Sequence, residues 1–391
     1  MFKFKTVQDI NVKNKRVLVR VDFNLSLDDD GKIADDFRIK EALPTIEYLL
    51  KKGAKIILMS HLGDPEGKFV KKLKMDVIQN RLLEYLDYSI VKAKDCIGKE
   101  IEDWTYEMQP GEILLLENLR FHPEEEANDI KFAKSLAKLG DIYVNEAFGV
   151  SHRKHASIVG VPKFLPSAAG FCLQKEAEEL SGVLFKPKRP LVVIIGGAKV
   201  STKIKVIEKF LEKADKLLLG GALVNTVFAA KGLSLGKSFI EKNVFEIVEK
   251  LNLENPKIQL PNDFTCQNSE ISARGINAVK ENESVFDIGP QSVELFLRSI
   301  REAKTIVWNG PVGLVEKKPF ERSSEAIAKG IAESSAYSIV GGGDTVVFIR
   351  KLGLEEKFNY VSTGGGAMLD YLVHETLPGI EALKKCKKFG K

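Results

Sequence analysis

Short apolar runs that stop abruptly at polar or glycine residues recur along the chain, each followed by a helical pattern. The clearest are Arg16–Val21, Lys55–Met59, Glu112–Leu116, Asp141–Val144, Leu191–Ile195, Lys216–Leu219, Thr305–Trp308, Ser338–Val340 and Asn359–Val361. Continuous apolar runs of this length suit strands buried on both faces, as in parallel sheets. Their alternation with helices predicts an α/β chain of doubly wound sheets. Ligands of such sheets bind just beyond the carboxyl ends of the strands. The residues that follow each run therefore form natural groups.

After the runs of the first half stand Asp22 and Asn24, His61, Asn118 and Arg120, then Asn145, His152 and Arg153. After those of the second half stand Gly196-Gly197-Ala198-Lys199, Gly220-Gly221, Asn309-Gly310-Pro311, Gly341-Gly342-Gly343-Asp344 and Thr363-Gly364-Gly365-Gly366. Of 31 glycines, 20 follow residue 186, whereas four of five histidines lie at or before residue 155. This shift predicts two different sites on two different sheets. Between them, Leu173, Ala177, Leu180 and Leu184 fall on one face of a helix, which Pro187 and Pro190 then stop. That segment reads as a linker helix.

Composition narrows the classes. A length of 391 residues suits two or three domains with full-sized cores. The net charge of +5, spread over 59 basic and 54 acidic residues, is too thin to indicate nucleic-acid binding. Cys96, Cys172, Cys266 and Cys386 form no CxxC pair and suit free thiols in a reducing cytoplasm. The start, Met1-Phe2-Lys3-Phe4-Lys5, does not read as a signal peptide, and runs such as Leu191–Ile195 are too short to span a bilayer. A cytoplasmic protein without membrane or nucleic-acid partners is expected.

Glycine at a strand end lets backbone approach a phosphate, and the N–H groups of the next helix then point at the anion. A single Gly-Gly more often makes a tight turn; five such strand ends in one half favour phosphate binding. No P-loop is present: Gly236-Lys237-Ser238 resembles the end of one, but Lys231 occupies the place of its first glycine, and GxGxxG is also absent. Lys199 and Lys203, four apart, would share a face of a starting helix and offer two cations to a terminal phosphate. Asp344 would hold a magnesium ion against the phosphates or serve as a helix N-cap, and both can hold.

The first-half set Asp22, Asn24, Arg38, His61, Arg120, His152 and Arg153 is rich in cations and poor in glycine. Arginine forks pair with carboxylates and phosphates, so the expected substrate is a small acid or phosphate whose hydroxyl Asp22 and Asn24 would hold. His152 and His155 lack a carboxylate or cysteine to complete a metal set. Glu124-Glu125-Glu126 reads as the acidic first turn of a helix.

Taken in order, Arg20-Val21-Asp22-Phe23-Asn24, Ser60-His61-Leu62-Gly63, Glu117-Asn118-Leu119-Arg120-Phe121-His122, Gly196-Gly197-Ala198-Lys199-Val200, Trp308-Asn309-Gly310-Pro311-Val312-Gly313, Gly341-Gly342-Gly343-Asp344-Thr345 and Ser362-Thr363-Gly364-Gly365-Gly366-Ala367 resemble a phosphoglycerate kinase over essentially the whole chain. The resemblance implies two Rossmann-like lobes joined by the linker helix and a hinge. Their boundaries would be residues 1–172 with a returning tail of about 376–391, the linker at 173–185, and 186–375. It implies reversible phosphoryl transfer between 1,3-bisphosphoglycerate and ADP, giving 3-phosphoglycerate and ATP with magnesium, by a monomer. By the same resemblance Asp22, Asn24, Arg38, His61, Arg120 and Arg153 would hold the triose acid. Gly197, Lys199, Lys203, Asn309, Glu316, Gly342, Gly343, Asp344 and Thr345 would hold the nucleotide, with Asp344 at the metal. Arg38 and Lys199 would stabilise the group in flight.

Three departures stand out. Asp64 replaces the arginine usual after His-Leu-Gly, Gly220-Gly221-Ala222-Leu223-Val224-Asn225 is a looser match, and Asn262 replaces a small apolar residue. They bear on substrate affinity more than on reaction type. Two rivals stand beside the resemblance: a non-catalytic nucleotide-binding protein on the same scaffold, and, on account of Asp64, a kinase for another small acid.

Overall fold

The structure, a computed structural model, describes residues 4–28 and 30–389. Met1 to Lys3 of the amino-terminal run, and Gly390 and Lys391 of the tail, lie outside the described residues. The chain divides into two compact units, one running to Glu178 and resuming at Thr376, the other spanning Glu179–Glu375. All nine apolar runs form strands, and both units are parallel-sheet α/β structures.

The first unit is built on β1 (Arg16–Arg20), β2 (Lys55–Met59), β3 (Ile90–Lys92), β4 (Ile113–Leu115), β5 (Ile142–Asn145) and β6 (Ser167–Ala169). They form one sheet in the order β3-β4-β2-β1-β5-β6, every pairing parallel. One face carries Val17, Val19, Ile56, Leu58, Ile113, Leu115 and Val144 against Ile39, Ile46 and Leu49 of helix Phe37–Lys51 and Ile78 and Leu82 of helix Asp76–Tyr85. The alternate residues Leu18, Ile57, Leu114 and Tyr143 are buried too. Burial on both faces is why these strands read as unbroken apolar runs. The strand order reverses between β1 and β5, so the segments after these two strands flank a crevice. The returning tail is tied to this unit by Gly379 N–H donating to Ser151 O (2.9 Å) and Lys387 N–H to Pro162 O (3.1 Å).

The second unit repeats the plan with β7 (Leu191–Ile195), β8 (Lys216–Leu219) and β9 (Ile258–Gln259). After an insertion follow β13 (Thr305–Asn309), β14 (Tyr337–Gly341) and β15 (Tyr360–Val361). The sheet order is β15-β14-β13-β7-β8-β9, again wholly parallel, with its reversal between β7 and β13. Val192, Ile194, Ile306, Trp308 and Val340 pack on Phe296 and Ile300 of helix Pro290–Glu302 and on Ile327 and Ile331 of helix Arg322–Glu333. The insertion is a three-stranded antiparallel sheet of β10 (Asp263–Gln267), β11 (Ile271–Gly275) and β12 (Ser284–Ile288), in the order β11-β10-β12.

The sequence pattern missed this insertion, together with β3, β6 and β9. The cause is physical. β11 alternates exposed and half-buried residues, so it never accumulates an apolar run. The other three have only two or three residues and form the edges of their sheets. The linker segment is a helix over Phe171–Phe185, two residues earlier in its start than its apolar spacing indicates; Leu173, Ala177, Leu180 and Leu184 are all buried.

Three glycine-rich turns of the second unit lie against one another. Gly197 N–H donates to Pro311 O (2.7 Å), Gly221 N–H to Val312 O (2.8 Å) and Leu223 N–H to Gly197 O (3.0 Å). Gly310 has φ +93°, and a Cβ there would meet Gly196 O at 2.3 Å and Lys203 Nζ at 2.5 Å. Gly310→Ala is therefore expected to cost about 1–3 kcal/mol of stability. Gly343→Ala, with nothing within 4 Å of the added Cβ, should stay within about 0.5 kcal/mol of the parent. Chemical-denaturation midpoints of the two variants check this.

Candidate functional site

The acid-side residues converge at the β1/β5 reversal. Asp22 and Asn24 follow β1. The Asp22 carboxylate accepts from Asn24 N–H (3.2 Å), and Arg38 lies against it at 3.2 Å. Arg38 also donates to Asn24 O (2.9 Å), which leaves about a third of its side chain exposed. Asn24 Oδ1 accepts from Gly63 N–H (2.8 Å), and Gly63 O accepts from Arg120 Nη1 (2.9 Å). Asn118 fixes this turn by accepting from Leu62 N–H (3.2 Å) and donating to Leu62 O (2.7 Å) and Leu73 O (2.9 Å). Asp22, Asn24, Arg38 and Arg120 thus form one linked set. Arg153 stands exposed after β5, close enough for its charge to act on Arg120.

His61 differs from the expectation of a cationic set. It is wholly buried, with Nδ1 3.3 Å from Nη2 of Arg20. Burial first, and then Arg20, Arg120, Arg38 and His155, hold its pKa well below the usual imidazole range. His155 is pushed down to about 3 by burial and by Arg120, Arg20 and Arg153. Both rings are neutral members of a basic site.

Asp64 is exposed and lies 3.5 Å from Arg120, whose Nε is also 3.1 Å from Glu126. Arg120 itself is buried, and burial pulls its pKa down while Glu126 and Asp64 act against that. Two acidic groups therefore already compensate this cation.

The nucleotide-side residues gather at the β7/β13 reversal. Lys203 is nine-tenths buried, and its Nζ donates to Asn309 Oδ1 (2.8 Å) and Asn309 O (3.1 Å). Burial pushes its pKa down to about 8, opposed by attraction to Asp344. Thr345 Oγ1 accepts from Gly310 N–H (2.9 Å). A Cβ on Gly197 would stand 3.4 Å from Lys203 Nζ, and one on Gly342 would stand 3.3 Å from Asn309 Nδ2. Gly197, Lys203, Asn309, Gly342 and Thr345 thus surround one small volume. Asp344 is exposed in the first turn of helix Gly343–Lys351, beside exposed Gly343. One hard oxygen ligand at a helix N-terminus fits a magnesium ion held otherwise by phosphate oxygens and water.

Several expectations need correction. Lys199 and Lys203 do not share a helical face: the helix begins at Ile204, Lys203 is its cap residue and buried, and Lys199 is exposed in the preceding turn. Asp344 is not an N-cap, because Gly342, with φ +99°, holds that place. Gly196, Gly221 and Gly310 serve the mutual packing of turns. Lys199 and Glu316 are exposed and, among the described residues, ion-paired to no member of the cluster. Asn262 is absorbed by helix Pro290–Glu302, its Oδ1 accepting from Ser292 Oγ (3.0 Å).

Sequence reasoning also missed the layer beneath the acid site. Arg20, Glu125 and Ser157 are fully buried there. The signal was available in Arg20, a charge that closes the apolar run Val17-Leu18-Val19 of β1. It was concealed in Glu125, the middle member of a triplet that looks like solvated helix start.

An α/β chain with two such sites, one basic and one of lysine and glycine-rich strand ends, defines a phosphotransferase for small anionic substrates. The family model described as phosphoglycerate kinase matches residues 7–375. The chain is 46% identical over 388 residues to the phosphoglycerate kinase of Pelotomaculum thermopropionicum, covering 97% of this chain and 98% of that protein. It is 46% identical over 387 residues to that of Moorella thermoacetica, with the same coverage. Among solved structures, phosphoglycerate kinase from Coxiella burnetii superposes with TM-score 0.84 at 38% identity, over 98% of this chain and 99% of that one. The enzyme from Pyrococcus horikoshii OT3 gives 0.86 at 34% identity, over 98% of each. The chain belongs to the phosphoglycerate kinase family and is a glycolytic phosphotransferase; neither rival reading finds support. No helix among the described residues is long and apolar enough to cross a membrane.

Lys203 gives this site a proton signature. A lysine of pKa about 8 is half neutral at pH 8, and an arriving anion raises that pKa. ADP binding at pH 8 should therefore take up roughly half a proton more in the parent than in Lys203→Arg, which cannot lose its charge. The parent's affinity should fall as pH rises through 8. Calorimetry in buffers of differing ionisation enthalpy reads both.

Proposed function

We propose that the chain transfers a phosphoryl group reversibly between 1,3-bisphosphoglycerate and ADP, giving 3-phosphoglycerate and ATP. The observation that carries this reading is the pairing of chemistries: linked arginines at one sheet's reversal, lysine with glycine-rich turns at the other's. Asp22, Asn24, Arg38, His61, Arg120 and Arg153 hold the triose acid. Gly197, Lys199, Lys203, Asn309, Glu316, Gly342, Gly343, Asp344 and Thr345 hold the nucleotide.

Asp344 holds a magnesium ion, which when bound neutralises phosphate charge. Direct in-line transfer needs positioning and charge stabilisation but no protein nucleophile. Arg38 and Lys199 supply the latter; Lys199 is exposed and Arg38 partly so, which suits groups that must meet a substrate. Lys203, held by Asn309, sets the backbone of the turn and adds a charge that strengthens as the anion arrives. Four free cysteines, three of them buried, fit a reducing cytoplasm. A monomer is the form the family resemblance implies.

Steady-state assays with 3-phosphoglycerate and MgATP test the reading. Lys199→Ala should lower kcat by on the order of 10³ or more while the melting profile is kept; near-parental turnover would sink the role of Lys199. Asp64→Arg should lower KM for 3-phosphoglycerate by roughly three- to tenfold, because it removes one acid beside Arg120 and adds a cation. An unchanged KM would show that Asp64 leaves substrate affinity alone.

A further inference from the structure

Beneath the acid site lies a buried relay that the roles above do not use. Arg20, on β1, is wholly inaccessible. Its Nε donates to Ser157 Oγ (2.8 Å), its Nη1 to Val21 O (2.5 Å), and its Nη2 lies 3.3 Å from His61 Nδ1. Ser157 passes the contact on: its hydroxyl donates to Glu125 Oε1 (2.5 Å) and its N–H to Glu125 Oε2 (2.9 Å). Glu125 is also wholly inaccessible.

The chemistry of this chain is directional. A guanidinium has only donors and keeps its charge at any pH the protein survives. Its neighbour on the imidazole must therefore be an unprotonated nitrogen, so Nδ1 carries the lone pair and the ring's proton resides on Nε2. A second proton on the ring would set an imidazolium against a guanidinium in a buried place that Arg38, Arg120 and His155 also face. Among the described residues, no group takes a hydrogen bond from Nε2. Glu125, through Ser157, supplies the counter-charge that lets Arg20 stay buried and oriented.

We propose that Arg20, held by Ser157 and Glu125, is a positioning residue that fixes His61 as the neutral Nε2–H tautomer, so that His61 offers the acid substrate a directed hydrogen bond without adding charge. This rests on the reading of His61 as a substrate contact, and the test separates the two.

Long-range ¹H–¹⁵N spectra of the full chain labelled at its five histidines report each ring's tautomer, and His61→Gln assigns the His61 signal. The parent should show His61 as Nε2–H from pH 5.5 to 8. An Nδ1–H or imidazolium pattern at pH 7 overturns the proposal without any variant of the relay. In Arg20→Met with Glu125→Gln, which removes both buried charges together, the signal should become a mixture of tautomers. KM for 3-phosphoglycerate should rise roughly tenfold, with KM for MgATP within about twofold. Arg20→Lys keeps a donor and should retain the parental tautomer. A folded double variant with a pure Nε2–H signal and unchanged KM overturns the proposal; if that variant does not fold, the parent spectrum and Ser157→Ala decide by the same two readouts. Should His61→Gln leave KM for 3-phosphoglycerate unchanged, the substrate reading fails while the tautomer assignment stands.

Discussion

Everything functional in this chain follows from a rule of parallel sheets. All strands of a six-stranded parallel sheet point one way, so their carboxyl ends share an edge, and every connection must return over a face. Where the order turns back, between β1 and β5 in one unit and β7 and β13 in the other, the segments leaving adjacent strands diverge and leave a crevice. Asp22, Asn24 and Arg153 reach the first crevice because they follow strands that cannot end elsewhere. Gly197, Asn309 and Gly310 reach the second for the same reason. The apolar runs that build the sheets thus also place the polar residues that end them.

Each unit then solves the problem of a buried cation differently. Arg20 cannot discharge, so the fold must give it a carboxylate, and Glu125 is drawn into the core through Ser157. Lys203 can discharge. It is held by the neutral Asn309 and left with a pKa near 8, which costs less than burying a second ion. The first device fixes a charge, and with it a hydrogen-bonding direction at His61. The second leaves a charge that an incoming phosphate can complete. A site for a rigid small acid gains from fixed direction; a site that handles a phosphate of changing charge gains from a responsive cation.

This division explains what could be read in the sequence. The nine strands read as apolar runs and the face of Leu173, Ala177, Leu180 and Leu184 were legible because burial on two faces, or along one helical stripe, leaves an unbroken apolar signature. Within the insertion, β11 left no such signature, because its residues alternate between exposed and half-buried and resemble a loop. Strand ends were legible as sites. What each residue does there was less so, since glycine is required equally for phosphate approach and for the backbone contact of Gly310 with Gly196. Lys199 and Lys203, four apart in sequence, differ because the first helical residue is Ile204, and one turn of loop separates a surface charge from a buried one. Glu125 was hidden for a related reason: a triplet of acids looks uniform until the fold takes its middle member inside.

Asp64 meets the same constraint. An acid in a site that must hold an anion looks like a defect when read alone. In place, Arg120 is buried, and desolvation and neighbouring arginines lower its pKa without discharging it. Arg38 already leans on Asp22, and Arg120 on Glu126. The arginines Arg38 and Arg120 are therefore held in shape by acids. Asp64, exposed and 3.5 Å from Arg120, extends that arrangement to the rim. It weakens the net pull on an anion, yet an exposed pair of this kind contributes little energy, and its flexible side chain can turn to solvent when a stronger partner arrives. Arg38 and Arg120 keep Asp22 and Glu126 as partners in the fold, and Asp64 adds to them only at the rim.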